Sequence, residues 1–153
     1  MKIVLQRVKQ SSVHVDGQII SQIEKGYLLF VGFEREDHEG LLGPMLEKIG
    51  KIKLFPDQSG RLGLNLKEAD GALLIVSQFT LSAGLKKGTK PNFSKAMEPE
   101  MAEILYHQFV MLAGETDVQV GSGEFGAMMQ VHIQNDGPVT VLMDSREILP
   151  SLH

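Results

Sequence analysis

The sequence predicts a compact α/β domain in which mixed or antiparallel β-sheet is layered against two main helices. Three observations carry that expectation. Seven or eight short runs are rich in β-branched and aromatic residues, two segments repeat apolar residues at three- and four-residue spacing, and neither an internal repeat nor a linker divides the chain. At 153 residues, the span 1–153 is the usual size of one domain.

The elements follow in order. "KIVLQRVKQSSVHV", "QIISQI" and "YLLFVGF" read as strands separated by the turn pairs Asp16-Gly17 and Lys25-Gly26, which together suggest a β-meander. Between His38 and Ile52, Leu41, Leu42, Met45, Leu46 and Ile49 form one apolar helical face, and Pro44 falls in its first turn. "KLF" extends and "PDQSG" turns. "ALLIVSQFTL" is nearly continuous in its apolar character, as expected of a strand covered on both faces. A second helix is expected from Pro99 to Gly114, with Met101, Ile104, Leu105, Phe109 and Leu112 as its core stripe. "TDVQV", "AMMQVHIQ" and "PVTVLMD" complete the set as strands. The last two are separated by "NDGPVT", where Asp136-Gly137 signals a hairpin but Pro138 removes an N–H just where a returning strand would begin to pair.

Composition narrows the function. Hydrophobic residues make up 42% and charged residues 22% of the chain, the proportions of a soluble globular protein, and no apolar run approaches the roughly 18 residues needed to span a bilayer. Arg7 and Lys9 come too early for a signal-peptide core, so a cytoplasmic protein without membrane contact is expected. The absence of cysteine excludes disulfides, thiolate catalysis and cysteine zinc sites. A net charge of −4 argues against a protein that coats DNA or RNA through a broad basic surface. The one cationic concentration is "LKKGTKPNFSK", which reads on composition as a solvated loop.

The usual catalytic templates fail. "GSGEFG" matches a dinucleotide-binding fingerprint in letters, but "AMMQVHI" after it alternates with period two, so the helix that would receive a pyrophosphate is missing and a bend between strands is expected. His14, His38, His107, His132 and His153 stand singly, without chelating spacing, and the carboxylates form no paired motif. Neither a metal nor a cofactor is therefore expected. His132 shares a strand face with Gln130 and Gln134, which suggests solvent exposure. What remains is "SQFTL", where a covered strand turns polar at Ser77, Gln78 and Thr80 beside the lysine loop. Strand ends of α/β folds favour binding sites, although the same residues could simply satisfy nearby backbone groups.

"SQFTL" and "NDGPVT", both intact and in order, strongly resemble the two signature motifs of the D-aminoacyl-tRNA deacylase family. "RVKQSSVHVDG", "GYLLFVG", "KKGTKPNFSKAM", "FGAMMQVHIQNDGPVT" and "LMDSRE" extend the likeness along the whole chain. The resemblance implies a barrel-like α/β fold and a homodimer. It implies hydrolysis of the ester joining a D-amino acid, or glycine mischarged on tRNA(Ala), to the 3′ end of tRNA, with L-aminoacyl-tRNA left intact. It places Ser77, Gln78, Phe79 and Thr80 in the catalytic pocket. Gly137 and Pro138, joined by a cis peptide, would enter the partner subunit's pocket and select chirality, with Arg7 steadying them and Met129 lining the pocket. The tRNA end would stack on Phe79 or Phe93, and Lys86, Lys87 or Lys90 would meet its phosphates. Backbone groups and the substrate's 2′-hydroxyl would do most of the chemistry, with Thr80 as a pocket residue, because no base in the sequence is visibly placed to activate it. Two further readings remain open from the residues: a small-molecule esterase with Thr80 as nucleophile, and a non-catalytic dimer that binds RNA ends.

Overall fold

The structure is a computed structural model that describes residues 1–86 and 88–153; Lys87 lies outside the described residues. Eight strands form around one mixed, strongly curled, barrel-like sheet of six strands and a separate two-stranded ribbon. The main strands are β1 (Lys2–Val15), β2 (Gln18–Ile23), β3 (Gly26–Gly32), β6 (Ala72–Ser77), β7 (Val120–Ser122) and β8 (Gln130–Asp144). The ribbon is β4 (Phe55–Pro56) with β5 (Leu62–Leu64), and the helices are α1 (Leu42–Lys51), α2 (Pro99–Gly114) and the short α3 (Ser145–Ile148). No helix among the described residues is long and apolar enough to cross a membrane.

Asp16-Gly17 makes the tight turn its sequence announces: both residues have positive φ, and Val15 pairs with Gln18. The expected meander does not form. β3 pairs with β1, not with β2, so the hairpin partner β2 and the following β3 share one edge of the long β1, over residues 11–15 and 2–8 respectively. β8 takes the other edge along nearly its whole length. β3 then pairs in parallel with β6, and β6 with β7, while β2 curls back against β6 and β7.

This curl gives the central strands two covered faces. On one face Ile3, Leu5, Tyr27, Leu29, Leu73 and Ile75 pack with α1 and α2. On the other, Val8, Val13, Leu28, Leu74 and Val76 form a second cluster. The unbroken apolar character of β6 follows, since both alternating sets of side chains are buried. In α1 and the 3-10 turn Glu39–Leu41 that leads into it, the expected Leu41, Leu42, Met45, Leu46 and Ile49 are all buried. In α2 the buried set is Ala102, Leu105, Tyr106, Phe109 and Ala113, whereas Met101 and Ile104 are exposed. The helix is therefore turned by about one position from the expected stripe. "TDVQV" is also mostly turn, because β7 begins only at Val120.

The expected hairpin at Asp136-Gly137 is likewise replaced by something else. The chain does not reverse; "AMMQVHIQ" and "PVTVLMD" contribute to one strand, β8, which breaks register against β1 and then resumes. Gln6 pairs with Thr140 and Val8 with Asn135, so residues 136–139 arch out opposite the single residue Arg7. The Gly137–Pro138 peptide within the arch is cis.

A further close approach sets the register of the sheet. A β-carbon on Gly26 would lie 1.9 Å from the Ala72 carbonyl oxygen, at the start of the β3–β6 pairing. Gly26→Ala is expected to cost about 3 kcal/mol or more, because backbone must move. Gly50→Ala, in open space on α1, is expected to be neutral or to stabilise by up to about 1 kcal/mol. Urea unfolding of both variants measures the contrast; equal effects would contradict the packing described.

Candidate active site

A cleft of about 740 Å³ opens where β6 ends. Strand β6 stops at Ser77; Gln78 donates its N–H to the Val31 carbonyl of β3 at 2.7 Å, and Phe79–Ser82 winds into a short 3-10 turn. Apolar walls come from Phe30, Val76, Met97, Phe125 and Val131, with Ser77 and Gln78 as the polar groups at the strand end. This is the usual make-up of a small-ligand site, mostly apolar with a few fixed polar atoms.

Of the expected residues, the structure brings together Ser77, Gln78, Phe79, Phe93 and Met129, all of which line the cleft. The Phe79 and Phe93 rings meet edge to face with centroids 5.0 Å apart, and Phe79 remains 57% exposed. An aromatic pair at a cleft mouth, one ring exposed and the other half-buried, offers a stacking surface for a flat ligand. Thr80 is exposed and does not line the cleft. Lys86 and Lys90 are exposed on the loop closed by paired Gly84 and Asn92, and neither lines the cleft.

The histidines are accounted for elsewhere. His14 bonds Ser12 and its ring lies 4.4 Å from that of His132, which is exposed as expected. His38 meets the Leu152 carbonyl, His107 faces Glu103, and His153 meets Ser145. The only carboxylate lining the cleft among the described residues is Glu98, exposed and paired with Arg35 at 3.3 Å. No nucleophile and base therefore stand together here.

Gly137 and Pro138 are exposed and lie outside the lining of this chain's own cleft. They are held by Arg7, a residue only 8% exposed. Its Nε donates to the Asp136 carbonyl oxygen at 3.1 Å and lies 3.1 Å from the Asp136 carboxylate, while Nη1 donates to the Leu54 carbonyl. A buried cation needs such partners. Asp136 is drawn inward, so the next two residues project outward. Gly137 has φ +134°, and a β-carbon there would lie 2.8 Å from the Val139 side chain, so glycine is required at the crest of the arch.

Sequence reasoning missed Tyr106, which braces the cleft from below. Its buried hydroxyl bonds the Ile75 carbonyl of β6 at 2.8 Å and the Gly123 carbonyl at 3.1 Å, and its ring lies 5.7 Å from that of Phe125. A tyrosine in an apolar helix face gives no local sign of such carbonyl partners.

The curled sheet with its cleft at a strand end is a tRNA deacylase fold. It superposes with TM-score 0.82 on a structure described as a probable eukaryotic D-amino acid tRNA deacylase, at 18% identity over 94% of this chain and 98% of that one. It also superposes with TM-score 0.88 on the c-Myc DNA Unwinding Element Binding Protein, at 42% identity over 95% and 99% of the two chains. A D-aminoacyl-tRNA deacylase of Acaryochloris marina is 46% identical over 144 residues, 94% of this chain and 95% of its own. Residues 4–144 match the family model described as D-Tyr-tRNA(Tyr) deacylase. The chain belongs to that family.

Burial pushes the Tyr106 phenol up from 10 to about 12, and burial does the same to Tyr27. The folded state favours the protonated phenol, so this stabilisation is complete below pH 10 and is lost as pH rises towards 12. Tyr106→Phe is expected to cost about 1–3 kcal/mol at neutral pH by leaving the Gly123 carbonyl without its donor, while the Ile75 carbonyl keeps the Gly123 N–H at 2.8 Å. Across pH 10 to 12 its urea midpoint should fall less steeply than that of the wild type; parallel profiles would contradict the assignment.

Proposed function

We propose that this chain, working as one domain over 1–153 and as a cytoplasmic homodimer, is a D-aminoacyl-tRNA deacylase whose cleft at the end of β6 holds the aminoacylated terminal adenosine. The reaction is hydrolysis of a carboxylic ester, releasing the D-amino acid and free tRNA. The observation that carries the reading of the site is a cleft built from Ser77, Gln78, Phe79 and Met129 in which nucleophile and general base are not paired.

Such a cleft suits a substrate that is already activated. An aminoacyl ester needs only to be held still, polarised at its carbonyl and met by water. The N–H of Phe79, first in the 3-10 turn and part of the cleft lining, has no acceptor within its own turn, so it is a donor for a developing oxyanion. The adenosine 2′-hydroxyl is the substrate's own proton carrier beside the ester. Adenine stacks against Phe79 and Phe93. Thr80, exposed and without a base beside it, acts as a pocket-rim residue and not as a nucleophile.

Chirality is read by shape. Exchanging hydrogen and side chain at Cα points an L side chain where a D substrate has only hydrogen. A rigid backbone wall at that position excludes L esters by overlap, whereas glycine, lacking Cβ, passes, including glycine mischarged on tRNA(Ala). The Gly137-Pro138 arch supplies this wall to the partner subunit's cleft. Its exposure, its place outside the lining of its own cleft and the Arg7 clamp behind it all support that role. A wall that rejects by backbone overlap has little reason to distinguish among D side chains, so breadth is expected.

With matched D- and L-aminoacyl-tRNA, the D ester should be hydrolysed faster by about a hundredfold or more. Equal rates, or no ester loss from either, would overturn the reading. Thr80→Ala should lower turnover by about tenfold or less, the scale of one lost hydrogen bond, whereas loss of a true nucleophile costs on the order of a millionfold. Abolished turnover in a folded Thr80→Ala variant would favour the nucleophile.

A further inference from the structure

A second hollow, about 450 Å³, lies behind the cleft wall and is cationic. Lys2, Lys86 and Lys95 surround it with Ser82, Asn92 and Ser94, and among the described residues no carboxylate lines it. In a chain of net charge −4, this is an exception to the general surface. Lys2 pairs with Glu34 at 3.3 Å, but Lys86 and Lys95 form no ion pair among the described residues.

The Ser82 hydroxyl is the second observation. The residue is only 3% exposed, yet its oxygen has no hydrogen-bond partner among the described residues. A buried hydroxyl left unpaired costs stability unless something else bonds it. It lines the hollow whose other walls carry lysines, an arrangement that suits an anionic oxygen.

The hollow and the cleft share their dividing wall. In the segment 92–94, Phe93 lines the cleft while its neighbours Asn92 and Ser94 line the hollow. In the 3-10 turn, Phe79 lines the cleft and Ser82 the hollow. A ligand whose aromatic base lies on Phe79 and Phe93, and whose chain continues over that wall, meets the hollow next.

We propose that this hollow is a phosphodiester subsite, which takes the backbone phosphates immediately preceding the terminal nucleotide. The proposal rests on the deacylase reading for the identity of that nucleotide. Lys86 and Lys95 supply charge, and Ser82 supplies a neutral donor. The cleft thus selects the aminoacyl-adenosine, and the hollow selects adenosine that ends a nucleic-acid strand.

Binding of the unacylated trinucleotide cytidylyl-cytidylyl-adenosine, which carries two phosphodiesters, is compared with binding of adenosine, which carries none. Wild-type protein should prefer the trinucleotide, with a log–log salt slope near 1.4 in magnitude for about two single-strand phosphate contacts. Lys86→Gln and Lys95→Gln should each weaken trinucleotide binding roughly three- to tenfold and reduce the slope by about 0.7, with adenosine affinity unchanged. Lys95→Arg should restore both. Ser82→Ala should weaken trinucleotide binding without altering the slope. Wild-type salt slopes in the lysine variants, or equal affinity for adenosine and trinucleotide, would overturn the subsite. Inorganic phosphate binding the hollow as tightly as the trinucleotide would overturn it in favour of a free-phosphate site. Because binding uses unacylated ligand, failure of the subsite and failure of ester hydrolysis are read separately.

Discussion

A guanidinium cannot be buried in a protein interior without partners of opposite charge or polarity, and Arg7 meets that requirement in a way that shapes one whole side of the molecule. It sits on the face of β1 that also carries Ile3 and Leu5, opposite Tyr27 of β3. Its partners come from the Leu54 carbonyl before the small ribbon and from both the carbonyl and carboxylate of Asp136 on β8. To reach Asp136, the β1–β8 ladder gives up its register over four residues of β8. The break is confined because pairing resumes on both sides. The arch carrying Gly137 and Pro138 is therefore anchored from beneath by the core and open to solvent above.

The other half of the site depends on the curl of the sheet. Because β3, β6 and β7 pair in parallel with both faces covered, the end of β6 is a fixed point, tied to β3 through Gln78 and braced from α2 through Tyr106. The strand's burial ends abruptly where Ser77, Gln78 and Phe79 emerge into the cleft. An ester substrate that needs positioning more than side-chain chemistry fits such a rigid rim. The proposed deacylase joins these two halves across a dimer: the rim from one chain and the arch from the other.

Much of this was legible in the sequence, and the exceptions have physical reasons. The α1 face could be read because one stripe met one core. Asp16-Gly17 and Asp136-Gly137 carry the same local hairpin signal, yet only the first makes the turn. At the second, Arg7 captures the aspartate and Pro138 follows the glycine, so a distant cation and the local proline set the outcome. Strand propensity found β2 and β3 but did not reveal that both share one edge of β1, since propensity carries no information about partners. In α2 a broad apolar stripe left its rotation undetermined by about one position, which concealed Tyr106 and placed the exposed Met101 and Ile104 in the expected core. The cleft residues Ser77 and Gln78 were legible because a polar end on a fully covered strand is unusual, but Thr80, read the same way, falls outside the cleft because the chain winds into a 3-10 turn there, and the walls from Phe30, Phe125 and Val131 depend on folding to come together.

The most direct test of the central claim, that each site is assembled from the cleft of one subunit and the Arg7-clamped arch of the other, is complementation in mixed dimers. One subunit carries Phe79→Ala with an intact arch, and the other carries Gly137→Val with an intact cleft. Each homodimer alone should be nearly inactive on D-aminoacyl-tRNA. Random mixing should restore about a quarter of wild-type activity, since half the dimers are mixed and each mixed dimer has one complete site. No recovery in dimers shown to be mixed would contradict the account.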